Sequence, residues 1–242
     1  MRIRIKFTKT GNMKYIGHLD VMRYFQKVLR RAEIDVAFSG GFSPHMLMSF
    51  AAPLGVGTTS LGEYFDLDVN SVSSANSFLE CLNNQMSEGF SVVSVCQIPE
   101  DKASKGMSQV ACADYHIVIH NCIDENCLNE NPIKNKIDDS ISDFLSQKEI
   151  LVFRKTKRTE GETDIKPWIY EFKTDENGYF LKVSQGSVHN LKPELVMQAY
   201  FSYLGQEMKR SQMEIQRLEI YADTGDETNH CFVPLCEMGQ KF

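Results

Sequence analysis

The sequence predicts an α+β fold in which one order of elements occurs twice along its 242 residues. Three observations support this prediction: alternating apolar residues typical of strands, apolar residues at helical spacing, and a polar, turn-rich stretch between the two series. Allowing one extra short strand between the two helices, each series reads β-α-β-β-α-β, which is the element order of ferredoxin-like domains. We therefore predict two tandem ferredoxin-like (βαββαβ) halves with antiparallel sheets.

The first half begins with a strand in which Ile3, Ile5 and Phe7 alternate with basic residues. This pattern predicts a half-buried strand with a basic outer face. From residue 18 to 33 the apolar residues follow a helical period, which predicts an amphipathic helix. The other elements predicted for this half are short strands at 35–38, 46–51 and 61–69, a helix with serine caps at 74–86, and a strand at 90–98.

The second half follows a polar stretch at 100–110 that reads as a linker. Its predicted elements are strands at 113–120 and 150–155, a hairpin of 168–173 with 179–184, helices at 132–147 and 191–204, and a last strand at 214–221. The predicted domains are residues 1–99, a basic domain, and residues 111–221, followed by a polar tail at 222–242.

The charge distribution is uneven. The net charge of −6 argues against a simple polyanion binder, but residues 1–50 hold nine basic and three acidic residues. This local charge of +6 leaves −12 on the remainder. Such segregation concentrates positive potential on one part of the molecule and makes that part the expected working surface.

Cysteine usage and hydropathy predict the compartment. No apolar run approaches the roughly 20 residues that span a bilayer, so no membrane association is expected. The seven cysteines are irregularly spaced, which favours free thiols in a reducing compartment. We predict a cytoplasmic protein without a cofactor or metal. Two C-x4-C pairs, Cys122 with Cys127 and Cys231 with Cys236, lie too far apart in sequence to favour zinc.

Phosphate-loop, dinucleotide-binding, hydrolase and metalloprotease motifs are absent from the sequence. Their absence favours a non-catalytic protein, although the possibility of an enzyme stays open.

The first candidate site is the strand-to-helix junction that contains Tyr15, Gly17, His18 and Asp20. A histidine and an aspartate at a helix start could pair for acid–base chemistry. Asp20 could equally be structural, because a carboxylate in the first turn is favoured by the helix dipole.

The second candidate site is a loop that contains Gly41, Phe42, Pro44 and His45. Its glycines permit a sharp turn, and Pro44 would present His45 at a defined place. The loop either binds a ligand or is a tight connection. If it lies at the same sheet end as the helix start, His18 and His45 could converge.

The third candidate site is a basic stripe. Arg23, Lys27, Arg30 and Arg31 fall along one face of the first helix. Together with the strand residues Arg2, Arg4 and Lys6, they form either a phosphate-binding surface or an ordinary solvated face.

These motifs resemble the DUF2344 family of radical-SAM-linked proteins, up to about residue 221. The resemblance rests on Arg4, Phe7, Lys9, Gly11, Tyr15, His18, Asp20, Met22, Arg23, Leu29, Arg30, Arg31, Ala32, Gly41, Phe42, Pro44 and His45, and then on Pro53, Gly55, Gly62, Glu63, Tyr64, Asp164 and Pro167. It implies an accessory partner of a radical SAM protein encoded nearby, in RNA- or ribosome-linked modification. Gly17 stands where serine is usual, and Met46-Leu47 where proline and a basic residue usually follow the histidine.

Three functional hypotheses follow. The leading one is a non-catalytic accessory protein that acts with a radical SAM enzyme and binds RNA through its basic N-terminal half. An alternative is a metal-independent endoribonuclease of Cas6-like architecture, with Tyr15, His18 and His45 as catalytic candidates. The other alternative is a pure protein–protein adaptor.

Overall fold

The computed structural model describes residues 1–120, 131–155, 160–175, 177–226 and 228–242, without the side chains of 131–138, 155 and 160. The strands are β1 (Arg2–Lys9), β2 (Met48–Phe50), β3 (Thr58–Asp68), β4 (Phe90–Ile98), β5 (Val110–Ile119), β6 (Leu151–Lys155), β7 (Glu160–Asp164), β8 (Ile169–Thr174), β9 (Tyr179–Ser184), β10 (Met213–Asp223) and β11 (Phe232–Pro234). The helices are α1 (His18–Arg31), α2 (Ala75–Asn83), α3 (Gly106–Gln109), α4 (Asn131–Ser146) and α5 (Pro193–Tyr203).

The main sheet is mostly antiparallel, which confirms the α+β class. The tandem ferredoxin-like arrangement stays a prediction.

The chain forms two compact units. The first unit contains residues 1–112 and 217–242, and the second contains residues 113–216. The predicted polar tail, 222–242, thus belongs to the first unit, where Leu235 is fully buried and Gln240 pairs with Gln97 of β4. No helix in the described ranges is long and apolar enough to cross a membrane.

The sheet of the first unit has the strand order β4-β1-β3-β10, with β2 paired to β3 and β11 to β10. The helix α1 buries Val21, Phe25, Val28 and Leu29 against it, which confirms the predicted apolar face. The ring of Phe25 packs edge-on against Phe7 at a centroid distance of 4.6 Å. Burial of one such side chain contributes about 1.5–3 kcal/mol, so this face holds the helix in place.

The prediction that β1 has a basic outer face is wrong. β1 lies between β3 and β4, and residues on both of its faces are buried. Arg4, only 1% exposed, pairs with Asp66 and donates to the carbonyl oxygens of Ser104 and Leu235. The segment predicted as a linker and the predicted polar tail therefore each supply a carbonyl group to the buried arginine.

At Gly62, two strands of the first unit approach each other closely. A Cβ on Gly62 of β3 would lie 2.8 Å from the carbonyl oxygen of Leu218 in β10. Only glycine leaves room for the two strands at this distance.

The second unit packs α4 and α5 against the hairpin β8–β9. This hairpin confirms the sequence prediction, and Thr174 pairs with Tyr179 next to its turn. Phe144 of α4 contacts Phe172 of β8 and Tyr200 of α5, at centroid distances of 6.3 and 5.4 Å. The strand β7, which pairs with β6 in a separate two-stranded sheet, was not predicted.

Candidate functional site

The start of α1 places His18 on the core rather than beside Asp20. Gly17 is the N-cap and supplies no side-chain hydrogen bond, because glycine has no side-chain acceptor. The ring of His18 packs edge-on against Phe50 at 5.0 Å. Asp20 instead pairs with Arg23 at 3.3 Å, and both side chains are about two-thirds exposed. The structure therefore does not support an acid–base pair of His18 with Asp20.

His18 lies close to a group of buried charges. Burial lowers the pKa of His18; the carboxylate of Glu63 opposes this shift, and the ammonium group of Lys9 adds to it. Lys9 is 2% exposed, and its Nζ donates to the carbonyl oxygen of Ile16 at 2.9 Å. Burial also lowers the pKa of Lys9, because it disfavours the charged form of an amine.

Glu63 is paired with an arginine from the far end of the chain. Arg217 donates from Nε to Oε1 of Glu63 at 2.8 Å and from Nη2 to the carbonyl oxygen of Ala52 at 2.7 Å. Arg217 is 1% exposed and Glu63 4%. Glu63 thus pairs directly with Arg217, and its charge also acts on Lys9 and His18. The pair holds β3 and β10 together, which is a structural role.

The glycine loop presents His45 at a defined position. Gly41 has φ of +96°, a conformation that side chains disfavour, and Phe42 at the tip is fully exposed. The hydroxyl oxygen of Ser39 accepts from the backbone N–H of His45 at 3.1 Å and lies 2.8 Å from its Nδ1. His45 also lines a cavity between β2, β3 and Lys105. The loop thus holds His45 through Ser39 and places it beside this cavity.

The two histidines have separate surroundings. His18 packs on Phe50, which lies opposite Phe65 of β3, whereas the cavity beside His45 reaches Asp68. In the described part of the chain, no hydrogen bond, ion pair or ring contact joins them. Tyr15 is exposed, with only Lys14 over its ring. The possible convergence of His18 and His45, which the sequence left open, therefore has no contact in its support among these residues.

The basic stripe of α1 is on the surface. All four of its residues, Arg23, Lys27, Arg30 and Arg31, are exposed. Arg31 donates to the carbonyl oxygen of Gln85 at 2.9 Å. Within the ranges that the structure describes, Lys27 and Arg30 have no hydrogen-bond or ion-pair partner, so their charges remain available to a ligand.

The basic residues of β1 do not extend the basic stripe of α1, because they pair with acidic residues. Arg2 pairs with Asp68 at 2.6 Å, and Lys6 pairs with Glu219 at 2.5 Å. The pairs of Arg2 with Asp68 and of Arg4 with Asp66 have a sequence signal, because the acids at positions 66 and 68 alternate along β3 with the same period of two as the basic residues of β1. Complementary alternation in two strands indicates cross-strand pairing.

Metal ligands do not cluster in the described residues: no group of three or more His, Cys, Asp or Glu side chains is placed to hold an ion there. Cys122 and Cys127 of the first C-x4-C pair lie outside those residues. In the second, Cys231 is exposed and Cys236 half-buried.

Comparison with known proteins places the chain in a family. No curated protein matches it. A chain of a solved Cbf5–Nop10–Gar1 complex is similar, with a TM-score of 0.45 and 12% identity over 90% of this chain. That match spans 48% of the other chain, so this chain covers about half its length. A sequence model of DUF2344, described as an uncharacterized protein conserved in bacteria, matches residues 2–193, and the chain therefore belongs to the DUF2344 family.

Proposed function

We propose that the protein is a non-catalytic accessory protein that binds RNA on the exposed basic face of α1 and presents it to a radical SAM enzyme encoded nearby. The observation that carries the RNA part is the pair Lys27 and Arg30, exposed and without partners in the described ranges. Phosphate contacts require cations that are both accessible and uncompensated.

The spacing of the stripe supports contact with several phosphates. Arg23 and Arg30 are seven residues apart, which is about 10.5 Å along the helix axis at 1.5 Å per residue. Lys27 lies between them on the same side, and Arg31 extends the stripe at the C-terminal end. Cations in the last helical turn also match the negative end of the helix dipole, so they are tolerated without acidic neighbours.

The endoribonuclease alternative is less well supported. It requires Tyr15, His18 and His45 to act on one phosphodiester, and no contact links His18 with His45 within the described residues. A general base and its partner must lie within hydrogen-bond reach of the same substrate. A binding role needs only the exposed stripe.

RNA binding is tested with a charge-reversed helix. The double variant Lys27→Glu/Arg30→Glu should bind single-stranded RNA at least tenfold more weakly than the wild type, measured by fluorescence anisotropy. Loss of two phosphate contacts should also reduce the slope of log K against log salt by about 1.4, at roughly 0.7 per contact.

The matched control is Lys148→Glu/Lys192→Glu, which makes the same charge change at two exposed lysines of the second unit. If the control weakens RNA binding as much as the α1 variant, the stripe is not the binding surface. Equal affinity of all three proteins would also contradict the proposal.

The partner is tested by co-purification with the radical SAM protein encoded nearby, with and without RNase. A complex that RNase dissolves supports RNA as the bridge. A complex that resists RNase and survives Lys27→Glu/Arg30→Glu would replace RNA binding with the adaptor hypothesis. Absence of any complex would contradict the proposal that the protein acts with this radical SAM protein.

A further inference from the structure

A small polar cavity lies beside the C-terminal end of β3, where Asp66 and Asp68 line it. Its volume is about 200 Å³. The polar residues among its lining are Arg2, His45, Ser49, Asp66, Asp68 and Lys105. None of them belongs to α1, so this cavity is distinct from the basic stripe.

Three polar groups in this lining remain available for a ligand. The ammonium group of Lys105 and the hydroxyl group of Ser49 have no hydrogen-bond or ion-pair partner among the described residues. His45 uses only Nδ1, through Ser39, and its Nε2 is without a partner in that same part of the chain.

The hydrogen bond between Ser39 and His45 is compatible with a tautomer in which Nε2 of His45 is a donor. The hydroxyl oxygen of Ser39 already accepts from the backbone N–H of His45, so its own hydrogen can be donated to Nδ1. A neutral imidazole that accepts at Nδ1 carries its proton on Nε2. In this tautomer Nε2 of His45 is a donor, as the ammonium group of Lys105 and the hydroxyl group of Ser49 can be.

The two carboxylates of the lining are already neutralised. Asp68 accepts from Nε and Nη2 of Arg2, and Asp66 accepts from Arg4 and from the backbone N–H of Gly106. The positive side chains in and next to the lining, Arg2, Arg4 and Lys105, thus outnumber its two carboxylates by one. The excess of positive charge and the three free donors favour an anionic ligand.

We propose that this cavity binds the phosphate group of a phosphate monoester. A phosphate monoester presents three acceptor oxygens and a charge of roughly −1.5 to −2, which matches three donors and a local cation better than a carboxylate does. The cavity is smaller than the roughly 300–1,000 Å³ of pockets for drug-sized ligands, yet far above the roughly 10–15 Å³ that one water needs. It accommodates the phosphate group and leaves the rest of the ligand outside, next to the exposed Phe42 loop.

The test is a titration of the full-length protein with inorganic phosphate at constant ionic strength, followed by the His45 ring resonance in NMR spectra. The resonance is assigned by its loss in His45→Gln. Phosphate should shift it saturably, and chloride should not. Lys105→Gln should weaken phosphate affinity about tenfold or more, because a charge-assisted hydrogen bond is lost.

The matched control is Lys102→Gln, which removes a charge from an exposed lysine three residues away that does not line the cavity. No saturable shift in the wild type, or equal weakening by Lys102→Gln and Lys105→Gln, would overturn the proposal. Retained phosphate binding in Lys27→Glu/Arg30→Glu is expected, since the two sites share no residue.

The source of the phosphate is distinguished with three further ligands. A 5′-phosphorylated RNA that binds more tightly than its 5′-hydroxyl form, with the difference abolished by Lys105→Gln, supports an RNA end. A nucleoside monophosphate that binds as tightly as the RNA supports a small phosphate ester.

Discussion

Replacement of Arg217 by methionine is expected to destabilise the first unit by about 3–5 kcal/mol. Removing one partner of a buried ion pair leaves the other charge without compensation, and such losses have this size. Glu63, which is 4% exposed, would lose its arginine partner and keep Lys9 and His18 as nearby titratable groups. The carbonyl oxygen of Ala52 would also lose its donor.

Two further variants separate the buried charge from loss of packing. Arg217→Met/Glu63→Gln removes the uncompensated charge and should recover at least half of the lost stability. Arg23→Met makes the same substitution in an exposed ion pair with Asp20 and should cost no more than about 1 kcal/mol.

The assay must report on the first unit alone. The single tryptophan, Trp168, lies in the second unit, so its fluorescence does not serve this purpose. Native-state hydrogen exchange of the β1 and β3 amides measures the opening free energy of the first unit directly. A loss below about 1 kcal/mol for Arg217→Met, or a double variant that is less stable than the single one, would refute the reasoning.

Three more predictions concern pKa values and close packing. Because burial lowers the pKa of His18 below 6.5, the first unit should lose stability as the pH falls below 6.5 towards the folded-state pKa, and His18→Gln should remove that loss; an NMR titration giving a pKa at or above 6.5 would contradict this. Burial raises the pKa of Cys96 to about 11, so iodoacetamide at pH 8 should modify the exposed Cys231 and spare Cys96, and equal labelling by mass spectrometry would show the thiol to be accessible. Gly62→Ala should cost about 1–3 kcal/mol in urea unfolding because its methyl group meets the backbone of β10, whereas Gly55→Ala, with nothing within 4 Å, should stay within about 0.5 kcal/mol; equal costs would rule out the steric explanation.

The elements that sequence periodicity predicted well are those whose information is local. The strand at 90–98 has the predicted limits, and α1 runs over His18–Arg31 against a prediction of 18–33. The serine cap of α2 is also found, with Ser74 accepting from the backbone N–H of Ser77. Spacing and capping depend on residues within one or two turns, so they can be recognised without the fold.

Among the candidate binding residues, too, the prediction that rested on local spacing succeeded and the one that depended on the fold failed. Helical spacing by itself placed Arg23, Lys27, Arg30 and Arg31 on one face, and the structure shows that face exposed. The alternation in β1 indicated a second basic surface, which the structure does not contain. The outer face of a strand is exposed only if no other part of the chain covers it. The alternation of residues within β1 carries no information about which other segments pack on that face.

What the sequence by itself determined is where helices and strands form and which loop carries His45. Only the tertiary structure decided which charges are free. Arg4 meets Asp66 across 62 residues, and Arg217 meets Glu63 across 154. A charge that the fold buries must find a partner because desolvation is costly, and that partner is set by strand order rather than by neighbours in sequence.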